Sequence, residues 1–157
     1  TAGSDEKCQI LKQELGADWA INYKTENVAE KVLEYVPSGV DVYWETVREP
    51  DFDAIVSVLA ENARVILMAG REARPAFPVG PFYVKGCSLH GFVMFKASPE
   101  ELKACGDSIN LWLSENKIAA RISHRFPLSE AAEAHRLQES NTVEQAGTIA
   151  GKIVLGV

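Results

Sequence analysis

VDVYWETVREPDFDAIVSVLAENARVILMAG, residues 40–70, decides the fold. The run VDVYW, residues 40–44, reads as a short buried strand. Pro50 suits the first turn of a helix that carries Phe52, Ile55, Val56 and Leu59 on one stripe. RVILMAG, residues 64–70, is a second, nearly all-apolar strand that ends at Gly70. Short apolar strands separated by an amphipathic helix are what a parallel sheet covered on both faces requires, because its strands meet no water on either side. The chain is therefore expected to be α/β, with a doubly wound parallel sheet.

The same alternation extends in both directions. Upstream, a helix is predicted from Asp5 to Leu15, with Ser4 as its cap, Cys8, Leu11 and Leu15 on one face and Gly16 at its end. Trp19–Tyr23 reads as a strand, and Asn27 with Glu30 caps a second helix reaching Tyr35. Downstream, Pro75, Pro78, Gly80 and Pro81 make residues 71–86 a long loop, after which CSLHGFVMF, residues 87–95, resumes as a strand. Ser98-Pro99-Glu100-Glu101 is a complete helix start, and Leu102, Cys105, Ile109 and Trp112 form the expected buried stripe of that helix. A strand near Arg121–Phe126, a capped helix from about Ser129, a polar loop from about Glu139 and a closing strand KIVLG complete the reading.

Composition excludes several functions. With 157 residues, 46% hydrophobic and 24% charged, the chain suits one packed unit. A formal charge of -6 argues against tracking nucleic-acid phosphates. No uncharged run approaches the roughly 20 residues that cross a bilayer, so neither a membrane nor a nucleic acid is an expected partner and a cytoplasmic location is expected. Cys8, Cys87 and Cys105 are far apart, without C-x-x-C spacing, and are expected to be buried reduced thiols. His90, His124 and His135 lack spaced partners for a metal site or a nucleophile and base, so no metal is expected and no catalytic residue is assigned.

One residue breaks a local rule. Asp5 and Glu6 occupy the first turn of the first helix, where the helix dipole favours acids, but Lys7 beside them has the wrong sign. It is either a solvated surface lysine or one half of an ion pair with a ligand anion.

The ordered segments GSDEKCQILKQELGADWAINYKTE, GVDVYWETV, LAENARVILMAG, VKGCSLHGFVMF, FPLSEAAEAHRLQES and GKIVLGV resemble the C-terminal half of the medium-chain dehydrogenase/reductases. Within them the likeness is to the zinc-independent quinone oxidoreductase and enoyl-reductase branch. It implies a Rossmann-like sheet of strand order 3-2-1-4-5-6, lacking here the first strand and its glycine-rich turn, since no G-x-G-x-x-G occurs. Residues 1–120 would be a partial dinucleotide-binding domain, and residues 121–157 a tail that packs on a substrate domain. Trp19–Tyr23 would be the third strand and VDVYW the fourth, with the strands from Val40 to Phe95 forming a compact parallel block.

The resemblance also implies a cofactor. Ser4 and Lys7 stand where the family meets the 2′-phosphate of NADP, and Tyr23 lies near that phosphate or the adenine, unless it is only strand-end packing. Thr46, Val47, Met68, Ala69, Gly70, Phe92, Val93 and Met94 would border the nicotinamide, at the carboxyl ends of strands. The apolar members could equally be ordinary core. Val47-Arg48-Glu49-Pro50 departs from the glycine pair usual there and puts charges at the mouth of the cleft. The implied activity is NADPH-dependent reduction of a quinone or α,β-unsaturated carbonyl, a small-molecule substrate, by a homodimer joined at the sheet edge. The alternatives are an NAD-type or zinc alcohol dehydrogenase, and a non-catalytic Rossmann-like assembly module.

Overall fold

In the computed structural model, which describes every residue except Gln145, β1 (Val40–Glu45), β2 (Leu59–Leu67) and β3 (Ser88–Gly91) pair in parallel in that order. This is the compact parallel block expected between Val40 and Phe95. The chain divides into two compact units, Thr1–Ala97 and Ser98–Val157.

The first unit has its core between α3 and β2. Helix α3 (Phe52–Ser57) buries Phe52, Ile55 and Val56 against Leu59, Ala63 and Val65 of β2. Phe77 and Phe82 pack edge-on, with ring centroids 4.9 Å between Phe52 and Phe77 and 5.0 Å between Phe77 and Phe82. Removing each such aliphatic side chain from water stabilises the fold by about 1.5–3 kcal/mol, so this cluster is what makes the unit cohere.

Several boundaries differ from the sequence reading, each for a local reason. Pro50 lies ahead of α3 rather than in its first turn, because Asp51 is the cap and its Oδ1 accepts the Ala54 N–H at 3.1 Å. Leu59 belongs to β2 instead of the helix stripe. The helix stops at Ser57, where the Lys85 ammonium donates to the carbonyls of Val56 (2.9 Å), Ser57 (3.4 Å) and Leu59 (2.7 Å). A cation at a helix C-terminus satisfies carbonyls that have no partner within the helix. The expected loop 71–86 contains α4 (Val79–Val84), since Pro81 sits in the first turn, where proline lacks no needed donor. β3 is shorter than residues 87–95: its partner β2 ends at Leu67, opposite Gly91, and Met94–Lys96 curls into a 3-10 turn.

Helix α1 (Asp5–Gln13) ends two residues before Leu15, and α2 (Val28–Tyr35) starts after Asn27 as expected. The predicted strand Trp19–Tyr23 is reduced to a single parallel bridge between Ala2 and Asn22. Its cause is the Asn22 side chain, whose Oδ1 accepts the Lys24 N–H at 3.1 Å and turns the chain at once. The bridge pairs the start of the chain with the expected third strand, apart from the three-stranded sheet.

In the second unit β4 (Ile122–Pro127) and β5 (Lys152–Gly156) pair in parallel, and α6 (Ala131–Thr142) packs on them through buried Ala134. The cap expected at Ser129 is absent; a 3-10 turn, Leu128–Glu130, leads into α6, and no side chain caps it. The helix also continues through the expected loop at Glu139 as far as Thr142. Helix α5 (Pro99–Ser114) has the full capping box between Ser98 and Glu101. Its stripe is nevertheless exposed, Leu102 at 49% and Trp112 at 45%, so the burial expected there is not found. The cysteines differ likewise: Cys8 is buried, Cys87 half-buried and Cys105 exposed, all three free.

Candidate functional site

The candidate residues all fall in the first unit, in two groups. The first is built around the Ala2–Asn22 bridge, where the Ala2 N–H donates to Ile21 O (2.9 Å) and the Tyr23 N–H to Ala2 O (3.1 Å). Ser4 caps α1 as its sequence implied, its Oγ accepting the Lys7 N–H at 3.3 Å. A Cβ in place of the Gly3 hydrogen would stand 2.7 Å from the Tyr23 hydroxyl and 3.4 Å from Lys24 Cε. Glycine is thus what lets the phenol lie this close on the turn, with the Lys24 stem beside it. The group brings together Ser4, Lys7 and Tyr23, and it adds Lys24, which sequence reasoning passed over although it stands in the quoted INYK.

Asn22 organises this group. It is buried, 5% exposed, and every polar atom of its side chain is engaged: Nδ2 donates to Asp5 Oδ1 at 2.7 Å and Oδ1 receives Lys24. Its own N–H donates to Glu26 Oε2 at 2.9 Å. Asp5 is therefore committed to Asn22, while the half-buried Lys7 has no ion-pair partner among the described residues. A helix N-terminus with an uncommitted ammonium suits an anion, because free N–H groups and the cation act on it together.

The second group is set by strand register. Glu45 lies opposite Leu67, and Leu67 opposite Gly91, so Thr46–Val47, Met68–Gly70 and Phe92–Met94 leave the sheet side by side at about 4.8 Å spacing. The Phe92 N–H donates to Leu67 O at 2.8 Å, and the Met68 N–H to Glu45 O at 3.4 Å. Trp44 Nε1 donates to Met68 Sδ at 2.9 Å. Gly70 has φ +78°, and a Cβ there would meet the Arg48 carbonyl at 2.7 Å, so only glycine lets the segment after β2 pass this close to the one after β1. Arg48, Glu49 and Ala69–Ala73 line a hollow at this place. Met68, Phe92 and Met94 are 43%, 51% and 64% exposed, so they are surface at the strand ends and not core. Glu45, another residue the sequence did not single out, is buried, with Oε1 accepting the Val47 N–H at 2.7 Å.

No helix of the described residues is long and apolar enough to cross a membrane. Among the described residues no three His, Cys, Asp or Glu side chains gather to hold a metal ion, so these residues do not compose a zinc site. His90 lies on β3, His135 on α6, and His124 Nδ1 is 3.0 Å from Ser123 Oγ on β4.

A family model described as zinc-binding dehydrogenase matches residues 15–155. A probable quinone oxidoreductase of Leishmania amazonensis is 35% identical over 106 residues, which cover 60% of this chain and 31% of that protein. The crystal structure of CurA from Vibrio vulnificus in complex with NADPH superposes with TM-score 0.76 at 27% identity, covering 99% of this chain and 48% of the other. The crystal structure of an NAD-dependent alcohol dehydrogenase superposes with TM-score 0.78 at 26% identity, covering 99% and 42%. The chain spans less than half the length of the curated relatives it matches.

Proposed function

Because the chain belongs to the zinc-binding dehydrogenase family, in the quinone-oxidoreductase-like branch of the medium-chain dehydrogenase/reductases, we propose that it supplies the nucleotide-binding part of an NADPH-dependent reductase. The substrates proposed are quinones or α,β-unsaturated carbonyl compounds. The observation that carries the cofactor assignment is the α1 cap turn, where Lys7 has no acidic partner among the described residues while Asp5 is held by Asn22. NADP, with a phosphate on its adenosine ribose, completes that turn; an NAD binder offers an acid to the ribose hydroxyls there, whereas Ala2-Gly3-Ser4 offers amides and a hydroxyl.

When bound, NADPH supplies a hydride; the chain's own part is binding and orientation. Ser4, Lys7 and Tyr23 hold the phosphate end. Thr46, Val47, Met68, Ala69 and Gly70 border the nicotinamide, backbone groups of Phe92, Val93 and Met94 hold its carboxamide, and the exposed Phe92 ring shields it from water. Residues 1–120 carry the cofactor and residues 121–157 return toward a substrate domain. The exposed outer edge of β3 is the seam for a second copy, because an unpaired strand edge is a template for pairing.

The test is cofactor preference in the full-length protein. Lys7→Ala is expected to weaken NADPH by about 1–3 kcal/mol, the worth of a charge-assisted hydrogen bond, and to leave NADH unchanged. Equal losses for both cofactors would make Lys7 a surface lysine and return the assignment to an NAD-type dehydrogenase.

A further inference from the structure

Glu45 ends β1 with a buried carboxylate, 7% exposed, at the point where the chain leaves the sheet. Burying an ionised carboxylate is unfavourable unless hydrogen bonds replace water, and an apolar side chain would serve the strand end equally well. What the carboxylate does is local: Oε1 folds forward to accept the Val47 N–H at 2.7 Å, which turns the chain out of the strand. The main chain of the same residue accepts the Met68 N–H at 3.4 Å. Side chain and backbone of one residue thus hold both segments that flank the strand-end hollow.

We propose that Glu45 is a positioning residue for the nicotinamide end of the cofactor, its carboxylate fixing Thr46 and Val47 where the ring would lie. The inference rests on the NADPH reading above. Glu45 touches neither substrate nor cofactor; it acts through the loop it holds. Its removal therefore penalises only ligands that reach that loop.

The experiment titrates the full-length protein with two ligands, NADPH and 2′-phospho-ADP-ribose, which shares the phosphate end but lacks nicotinamide. Glu45→Ala is expected to weaken NADPH about five- to tenfold, the worth of one lost hydrogen bond, with 2′-phospho-ADP-ribose unchanged. Glu45→Gln, whose amide oxygen is the same acceptor, is expected to restore NADPH to within about twofold of the parent. Equal weakening of both ligands, no weakening of either, or failure of Glu45→Gln to restore binding would each overturn the proposal. Amide exchange in the unaltered protein gives a readout without substitution: the Val47 N–H should exchange more slowly than that of Arg48, and a Val47 amide as fast as its neighbour overturns the proposal. A parent protein that binds neither ligand would instead overturn the cofactor reading itself.

Discussion

The turn at Ala2–Asn22 and the carboxyl ends of β1–β3 each gather candidate residues, but different forces hold them in place. The strand ends rest on a sheet whose register is continuous from Glu45 through Leu67 to Gly91, backed by Ile55, Val56 and Val65 with 2% exposure or less. The Asn22 turn has one bridging pair and a set of side-chain hydrogen bonds, with Trp19 and Tyr23 more than half exposed beside it. A sheet spreads its loss over many contacts, whereas a hydrogen-bonded turn concentrates its loss in one side chain. The two halves of the proposed cofactor site should therefore fail separately.

The largest expected effect is at the sheet. Ile55→Ala deletes buried methyl groups that α3 places against β2, leaving a cavity that the surrounding aromatic cluster only partly closes. A loss of about 2–5 kcal/mol in unfolding free energy is expected by denaturant titration. A loss under about 1 kcal/mol would show that the core tolerates the void, and that the strand ends are not held by it.

The next effect is at the turn. Asn22→Leu keeps the burial and removes the partners of Asp5 and of the Lys24 N–H together. A loss of about 1–3 kcal/mol is expected, the worth of the two part-buried hydrogen bonds that Asp5 Oδ1 and the Lys24 N–H lose. The sharper readout is spatial: amide exchange should accelerate around Ala2–Glu26 and remain as it was in β1–β3. Acceleration in both places would join the two regions into one cooperative unit and end the contrast drawn between them.

The features legible in the sequence were those set within a few residues. Ser4, Asn27 and Ser98 cap their helices as read, because a cap needs only a hydroxyl or amide two or three positions before a free N–H. The parallel block was legible too, as short strand runs separated by a helix, but the burial read into Val40–Trp44 is not found: Val42 is 52% and Trp44 64% exposed, because no helix among the described residues of the first unit covers that side-chain face. What escaped depends on residues far apart in the chain. Lys85 ends α3 from 26 to 29 residues away, and Asn22 reaches Asp5 across 17. The stripe of α5 shows a further limit: spacing puts Leu102, Cys105, Ile109 and Trp112 on one face, but burial needs a partner surface that no spacing names. For the site, the strand-end positions came from the family resemblance, in keeping with the rule that ligands meet parallel sheets at their carboxyl ends. Glu45 did not, because an acid closing an apolar strand looks like the solvated start of a loop.

The smallest effect distinguishes the two regions by pH. Tyr43 of β1 packs against the core, and burial, reinforced by the charges of Glu45 and Asp51, raises its hydroxyl above the ordinary value of 10.0. Its neutral form is therefore favoured in the folded chain, and the associated stability is complete below pH 10.0 and lost as pH rises through the folded value. Between pH 10.0 and the folded value the unfolded chain has released the proton that the folded chain retains, so ΔG of unfolding falls with pH there. Tyr43→Phe has no proton to lose, and its stability should decline less steeply on the alkaline side while matching the parent's slope at neutral pH. Tyr23→Phe in the Asn22 turn, at a side chain 56% exposed, is measured beside it as the exposed tyrosine. An identical alkaline slope for Tyr43→Phe and the parent would mean that water reaches the Tyr43 hydroxyl, and that the sheet is more open at its strand ends than its register implies.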